Sequence, residues 1–126
     1  MKKIINTPKA PAPIGPYNQA VLSGDTLYIS GQIPIDPSTG NLVEGDIKKE
    51  TARSMENLKA ILEAAGMGFG QVVKSTIFIK DMGQFGQINE VYGSYFDGDT
   101  APARETVEVA KLPKNVNVEI SMIAVK

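Results

Sequence analysis

The chain has 126 residues and a mass of 13.5 kDa, with 42% hydrophobic and 21% charged residues, proportions of a globular domain that exclude a disordered or fibrous protein. Its net charge is −1, with an isoelectric point near 5.4, which offers no overall field to nucleic acid or to an anionic membrane. With no Cys, His or Trp, it lacks disulfides, a thiolate nucleophile, an imidazole base and the usual zinc ligands, so its chemistry must come from carboxylates, hydroxyls, Lys, Arg and backbone.

Met1-Lys2-Lys3 is basic, but Ile4-Ile5 is followed at once by Asn6-Thr7-Pro8. That is no signal-peptide core, and no run approaches the ~20 apolar residues that span a bilayer. The expectation is a soluble cytoplasmic protein. Four of the eight prolines (Pro8, Pro11, Pro13, Pro16) fall in residues 8–16, which must be extended and can donate few ladder hydrogen bonds. Gln19 to Leu22, the turn Ser23-Gly24-Asp25 and Thr26 to Ser30 read as a β-hairpin, with Leu27 and Ile29 on one face of the second strand. Gly31 follows, free to bend or to admit a close approach. Residues 34–46 are turn-rich and are expected to form an exposed loop.

A helix is predicted over about 46–65, with Asp46 as N-cap, Gly66 as its stop and an apolar stripe through Met55, Leu58, Ile61 and Leu62. Arg53 falls on its polar side and is expected to be solvated. Val72 to Ile79 alternates as a strand. Asp81 and Gln84 resemble a capping box that opens a second helix through Phe96, although Gly83, Gly86 and Gly93 each cost it about 1 kcal/mol. Strands over 104–110 and 116–125 close the chain. The reading is one α+β domain over residues 1–126, in the order ββ-α-β-α-ββ, with the helices packed on one face of a sheet.

Arg104 and Glu119, expected on neighbouring strands, are the residues singled out for chemistry. Arg104 is one of only two arginines against eleven lysines, and its planar fork suits a carboxylate in a way that Lys cannot reproduce. An ordinary salt bridge with one of the fourteen acids explains it better on spacing alone. Glu119 interrupts an apolar strand pattern, where a carboxylate could orient or deprotonate water. On pattern alone a solvated sheet face explains it better. Tyr17, Ser30-Gly31 and Asn89 sit where hydroxyls, amides and backbone groups could meet a small polar ligand, with turn capping and helix-flank cover as the alternatives. Ser30 has no His partner and is a poor nucleophile. Gly66 to Gly70 follows a helix and lacks the strand-to-helix setting of a dinucleotide site. The lysine clusters lack interleaved aromatics, and no acidic cluster has metal-loop spacing.

Taken in order, Ile14-Gly15-Pro16-Tyr17, Ile29 to Pro34, Pro102-Ala103-Arg104, Val107 to Pro113 and Val118-Glu119-Ile120 closely resemble the RidA/YjgF family of reactive-intermediate deaminases, once called translation inhibitors. The resemblance covers nearly the whole chain. It implies a chorismate-mutase-like (YjgF-like) mixed sheet and a homotrimer with three sites in clefts between subunits. It also implies hydrolysis of 2-imino acids or their enamines, such as 2-iminobutanoate and 2-iminopropanoate, to 2-oxo acids and ammonia. These imines would come from pyridoxal-phosphate enzymes, and the protein itself would need no cofactor and no metal. By resemblance Arg104 clamps the substrate carboxylate and Glu119 positions the water. Backbone around Gly31 and Thr106 contacts the substrate, and Tyr17, Ser30 and Asn89 match further pocket positions. The family often has Cys where this chain has Thr106, and a second acid where it has Ser121. Two other readings stand beside the deaminase: a non-enzymatic module that binds small carboxylates such as 2-oxo acids, and an endoribonuclease or translation inhibitor, which the net charge and missing His disfavour.

Overall fold

A computed structural model describes all residues, Met1–Lys126. The chain runs through β1 (Lys2–Ile5), β2 (Ala20–Ser23), β3 (Thr26–Gln32), α1 (Ile47–Ala64), β4 (Val72–Ile79), α2 (Phe85–Gly93), β5 (Ala103–Glu108) and β6 (Val118–Val125). The six strands form one sheet in the order β1-β2-β3-β6-β4-β5. All neighbours are antiparallel except β4 and β5, which α2 joins as a parallel crossover. The alternation along β3, β4 and β6 puts Leu27, Ile29, Ile77, Ile79, Val118, Ile120 and Met122 on one face. There they pack with Met55, Leu58, Ile61, Leu62, Ile88 and Tyr92 in a single core, each large aliphatic side chain contributing roughly 1.5–3 kcal/mol by leaving water. The opposite face carries Tyr28, Phe78, Glu119, Ile123 and Val125, all at least partly exposed. The two helices thus cover one face of a mixed sheet, the YjgF/chorismate-mutase-like arrangement.

Local signals explain the main helix. The Asp46 carboxylate accepts from the backbone N–H of Lys48 at 2.9 Å and of Lys49 at 3.3 Å, satisfying two of the orphan donors at the helix start. At the other end Met67 N donates to Leu62 O and Gly66 N to Glu63 O, both at 2.9 Å, the Schellman closure. It needs a left-handed residue after the cap, and Gly66 supplies it at φ 73°.

Four sequence expectations need correction. The order begins with an additional strand, because Lys2–Ile5 adds to β2 as the sheet edge. The second helix is shorter than 81–96: Asp81 caps Gly83 N at 2.8 Å over a 3₁₀ turn, and the α-helix runs only from Phe85 to Gly93. Tyr95 and Phe96 belong instead to an aromatic cluster with Phe69. The loop after β3 is not wholly exposed, since Ile33, Pro34 and Ile35 are buried. Arg53 is half-buried, not solvated, and its Nε and Nη2 donate to Asn57 Oδ1 at 3.2 and 3.0 Å. The fully buried Asn57 passes this tie on, donating to the carbonyls of Ile33 at 3.3 Å and Ile35 at 3.0 Å, and so pins the chain just beyond Gly31.

Candidate functional site

The end of β3 breaks its pairing with β6 between Ile29 and Gln32. Ile29 stays opposite Met122 and Gln32 opposite Ile120, so Ser30 and Gly31 together face Ser121 alone, a bulge. This bulge opens a cleft of about 350 Å³ lined by Ile14, Tyr17, Ser30, Gly31, Ile33, Pro113 and Glu119. Glu119 lies directly over Gly31: a Cβ added at residue 31 would stand 2.7 Å from its carboxyl carbon. Only a glycine leaves room for the carboxylate here. Glu119 makes no ion pair, and burial pushes its carboxyl pKa above the usual value, since charge is disfavoured where water is scarce. The Ser30 hydroxyl donates to Asn18 O at 2.7 Å, which leaves its oxygen free to accept. The Tyr17 ring packs on Gly15, and its hydroxyl accepts from Ile14 N at 3.3 Å. This segment is moored by the buried Gln19. Its amide donates to the carbonyls of Thr7, Ala10 and Pro11 and its oxygen accepts from Thr7 N, at 2.7–3.2 Å.

Arg104 occupies different ground. In the parallel β4–β5 register Ser75 pairs with Arg104 and Ile77 with Thr106, so both β5 side chains share the helix-covered face. Its Nη1 donates to Asn89 Oδ1 at 2.6 Å, and its guanidinium carbon lies 5.5 Å from the Phe85 ring centroid and 5.1 Å from that of Tyr92. No carboxylate pairs with it; the ion pairs present are Lys48–Glu90 and Lys74–Glu105. The Thr106 hydroxyl is buried without a hydrogen-bond partner.

The structure therefore gathers Tyr17, Ser30, Gly31 and Glu119 in one place and Arg104, Asn89 and Thr106 in another. Sequence reasoning put Arg104 and Glu119 on neighbouring strands. They are not: β4 lies between β5 and β6. Glu119 pairs with Phe78, whereas Arg104 pairs with Ser75, so the two side chains leave opposite faces of the sheet. Two strand spacings and three residues along the strand separate their backbones by roughly 14 Å. A small substrate within one chain cannot touch both. Sequence reasoning also missed the roles of Phe85 and Tyr92 around Arg104 and of Pro113 at the cleft. The i, i+4, i+7 spacing of Phe85, Asn89 and Tyr92 was the available signal for the first; it reads as an apolar stripe until Arg104 is seen beneath it. No group of three or more acidic side chains is placed to hold a metal ion, and no helix is long and apolar enough to cross a membrane.

Comparison with known proteins narrows the chemistry. The family model described as endoribonuclease L-PSP matches residues 7–126. A RutC family protein of Pyrococcus horikoshii is 56% identical over 126 residues, covering 100% of this chain and 99% of that one. The mouse protein named 2-iminobutanoate/2-iminopropanoate deaminase is 50% identical, covering 100% and 93%. Among solved structures, E. coli TdcF with bound serine superposes with a TM-score of 0.92 at 48% identity, covering 98% of each chain.

Proposed function

The chain belongs to the endoribonuclease L-PSP/RidA family, and we propose that it hydrolyses 2-imino acids to 2-oxo acids and ammonia. One observation carries this reading: Arg104 and Glu119 are both half-buried, and neither has a partner of opposite charge. A half-buried charge left unpaired is costly unless a ligand uses it. Arg104 offers its fork to the substrate carboxylate. Glu119, a better base for its raised pKa, orients a water and takes its proton as the oxygen adds to the imine carbon. Glu119 then passes that proton to nitrogen and takes the remaining hydroxyl proton as the C=O bond forms and the C–N bond breaks, releasing ammonia. A protonated imine is electrophilic already, so positioning supplies the catalysis and neither nucleophile nor metal is needed.

The site is built between copies of the chain. Arg104, Asn89 and Thr106 of one copy close over Tyr17, Ser30, Gly31 and Glu119 of the next, in a homotrimer whose open sheet faces pack together. That face exposes Tyr28 to 52% and Val125 to 37%, apolar area of the kind an interface covers. The small imino acids come from pyridoxal-phosphate enzymes of the cytoplasm.

The test generates 2-iminobutanoate and 2-iminopropanoate in situ and follows 2-oxo acid release with wild type, Arg104→Ala and no protein. Acceleration by wild type alone supports the reading; equal acceleration by Arg104→Ala refutes the role of Arg104. The bound serine in E. coli TdcF favours a second reading, a module that binds small carboxylates without turnover. Tight binding of 2-oxobutanoate with no acceleration would establish it.

A further inference from the structure

Phe85, Asn89 and Tyr92 present one face of α2 to Arg104, and no acid competes for the guanidinium. Contact with two rings fixes the plane of the guanidinium, and the Asn89 oxygen fixes its rotation about that plane. A fork held in this way loses less freedom when it binds than one free in solvent. Tyr92 is only 5% exposed. Its hydroxyl lies beside that of Ser75, the β4 residue paired with Arg104, yet neither hydroxyl has a well-aligned hydrogen-bond partner. It is thus the ring of Tyr92 that meets the guanidinium, while its hydroxyl has Ser75 beside it.

We propose that Phe85 and Tyr92 are positioning residues for carboxylate binding, an aromatic platform that pre-orients Arg104. In this arrangement Asn89 acts on the arginine and not on the substrate. The inference rests on the reading that Arg104 takes the substrate carboxylate, and it identifies what makes that arginine selective for a planar anion. Tyr92→Phe keeps the platform, whereas Tyr92→Leu keeps the apolar bulk and removes it.

The experiment measures the affinity for 2-oxobutanoate by calorimetry, and kcat and KM for the in situ imine. The variants are Tyr92→Phe, Tyr92→Leu, Phe85→Leu and Arg104→Ala, with Ile88→Val as a core control on the same helix. Loss of a desolvated cation–ring contact predicts about tenfold weaker binding and about tenfold higher KM for Tyr92→Leu, with kcat within about threefold. Tyr92→Phe is expected within about twofold of wild type, since the ring over the guanidinium is kept. Ile88→Val should lower the melting temperature and leave affinity unchanged. If Tyr92→Leu does not fold, Phe85→Leu carries the test with a several-fold loss. Wild-type affinity in the leucine variants, or equal losses in the Phe and Leu variants of Tyr92, overturns the platform. A wild-type chain that does not bind 2-oxobutanoate, or Arg104→Ala binding as wild type does, overturns the carboxylate reading itself and the platform with it.

Discussion

Gly31→Ala adds one methyl group at the point where Glu119 rests on the backbone. The new Cβ would lie 2.7 Å from Glu119 Cδ, 2.8 Å from Oε2 and 2.9 Å from Cγ, against the ~3.5–4.0 Å at which non-bonded carbons rest. Something must move by about 1 Å. The bulged strand is held by β6 and, through Asn57, by α1, whereas the end of a glutamate swings freely into the cleft, so Glu119 gives way. Overpacking costs roughly 1–3 kcal/mol, and replacing glycine inside a strand returns roughly 0.5–1 kcal/mol. The net loss is about 1 kcal/mol, a fall in Tm of roughly 4 °C. A catalytic group displaced by about 1 Å costs on the order of a hundredfold in rate. Gly31→Ala should therefore fold and assemble as wild type does, yet turn over imine about a hundredfold more slowly, close to Glu119→Gln. Thermal melts, sedimentation and the coupled imine assay give the three readouts. A variant that keeps kcat within about threefold while Glu119→Gln is dead would refute the reasoning.

Other outcomes follow from the same contacts. Arg104→Lys keeps the charge but loses the fork and should lose most activity by raising KM, a change visible in steady-state kinetics. Glu119 has its pKa raised by burial from the ordinary 4.5, so the folded state holds its proton more tightly than the unfolded chain does. Stability is then lost as pH rises from the ordinary value through the raised one, and the melting temperature of wild type, but not of Glu119→Gln, should fall as pH rises above that ordinary value. Asn57→Leu strips the Ile33 and Ile35 carbonyls of their buried donor. It should cost about 2–4 kcal/mol in urea unfolding, whereas a loss below about 0.5 kcal/mol would show that those carbonyls are satisfied otherwise.

Elements with local causes were legible in the sequence. The Asp46 cap, the Gly66 stop and the period-2 pattern of Val72–Ile79 need only nearby residues, and the structure places all three as read. The strand Lys2–Ile5 escaped because its first three residues are exposed, and an edge strand with nothing to bury leaves no alternation to read. The sequence predicts too long a second helix because Tyr95 and Phe96 are partly buried by a turn against Phe69 and not by helical periodicity. The sequence names the candidate residues, but not their separation onto opposite faces of the sheet. That depends on β4 entering between β5 and β6 and on a register that sends Ser75 and Phe78 to opposite faces. Such pairing is long-range, and no local pattern encodes it.

The central claim is that Arg104 and Glu119 meet only across two copies of the chain. Subunit mixing tests it most directly: Arg104→Ala and Glu119→Gln, each inactive alone, are unfolded together and refolded at equal concentration. Random assembly of a symmetric trimer pairs an intact arginine with an intact glutamate at about one interface in four, so the mixture should recover about a quarter of wild-type activity. A mixture that stays inactive while sedimenting at the size of the wild-type assembly would contradict the account.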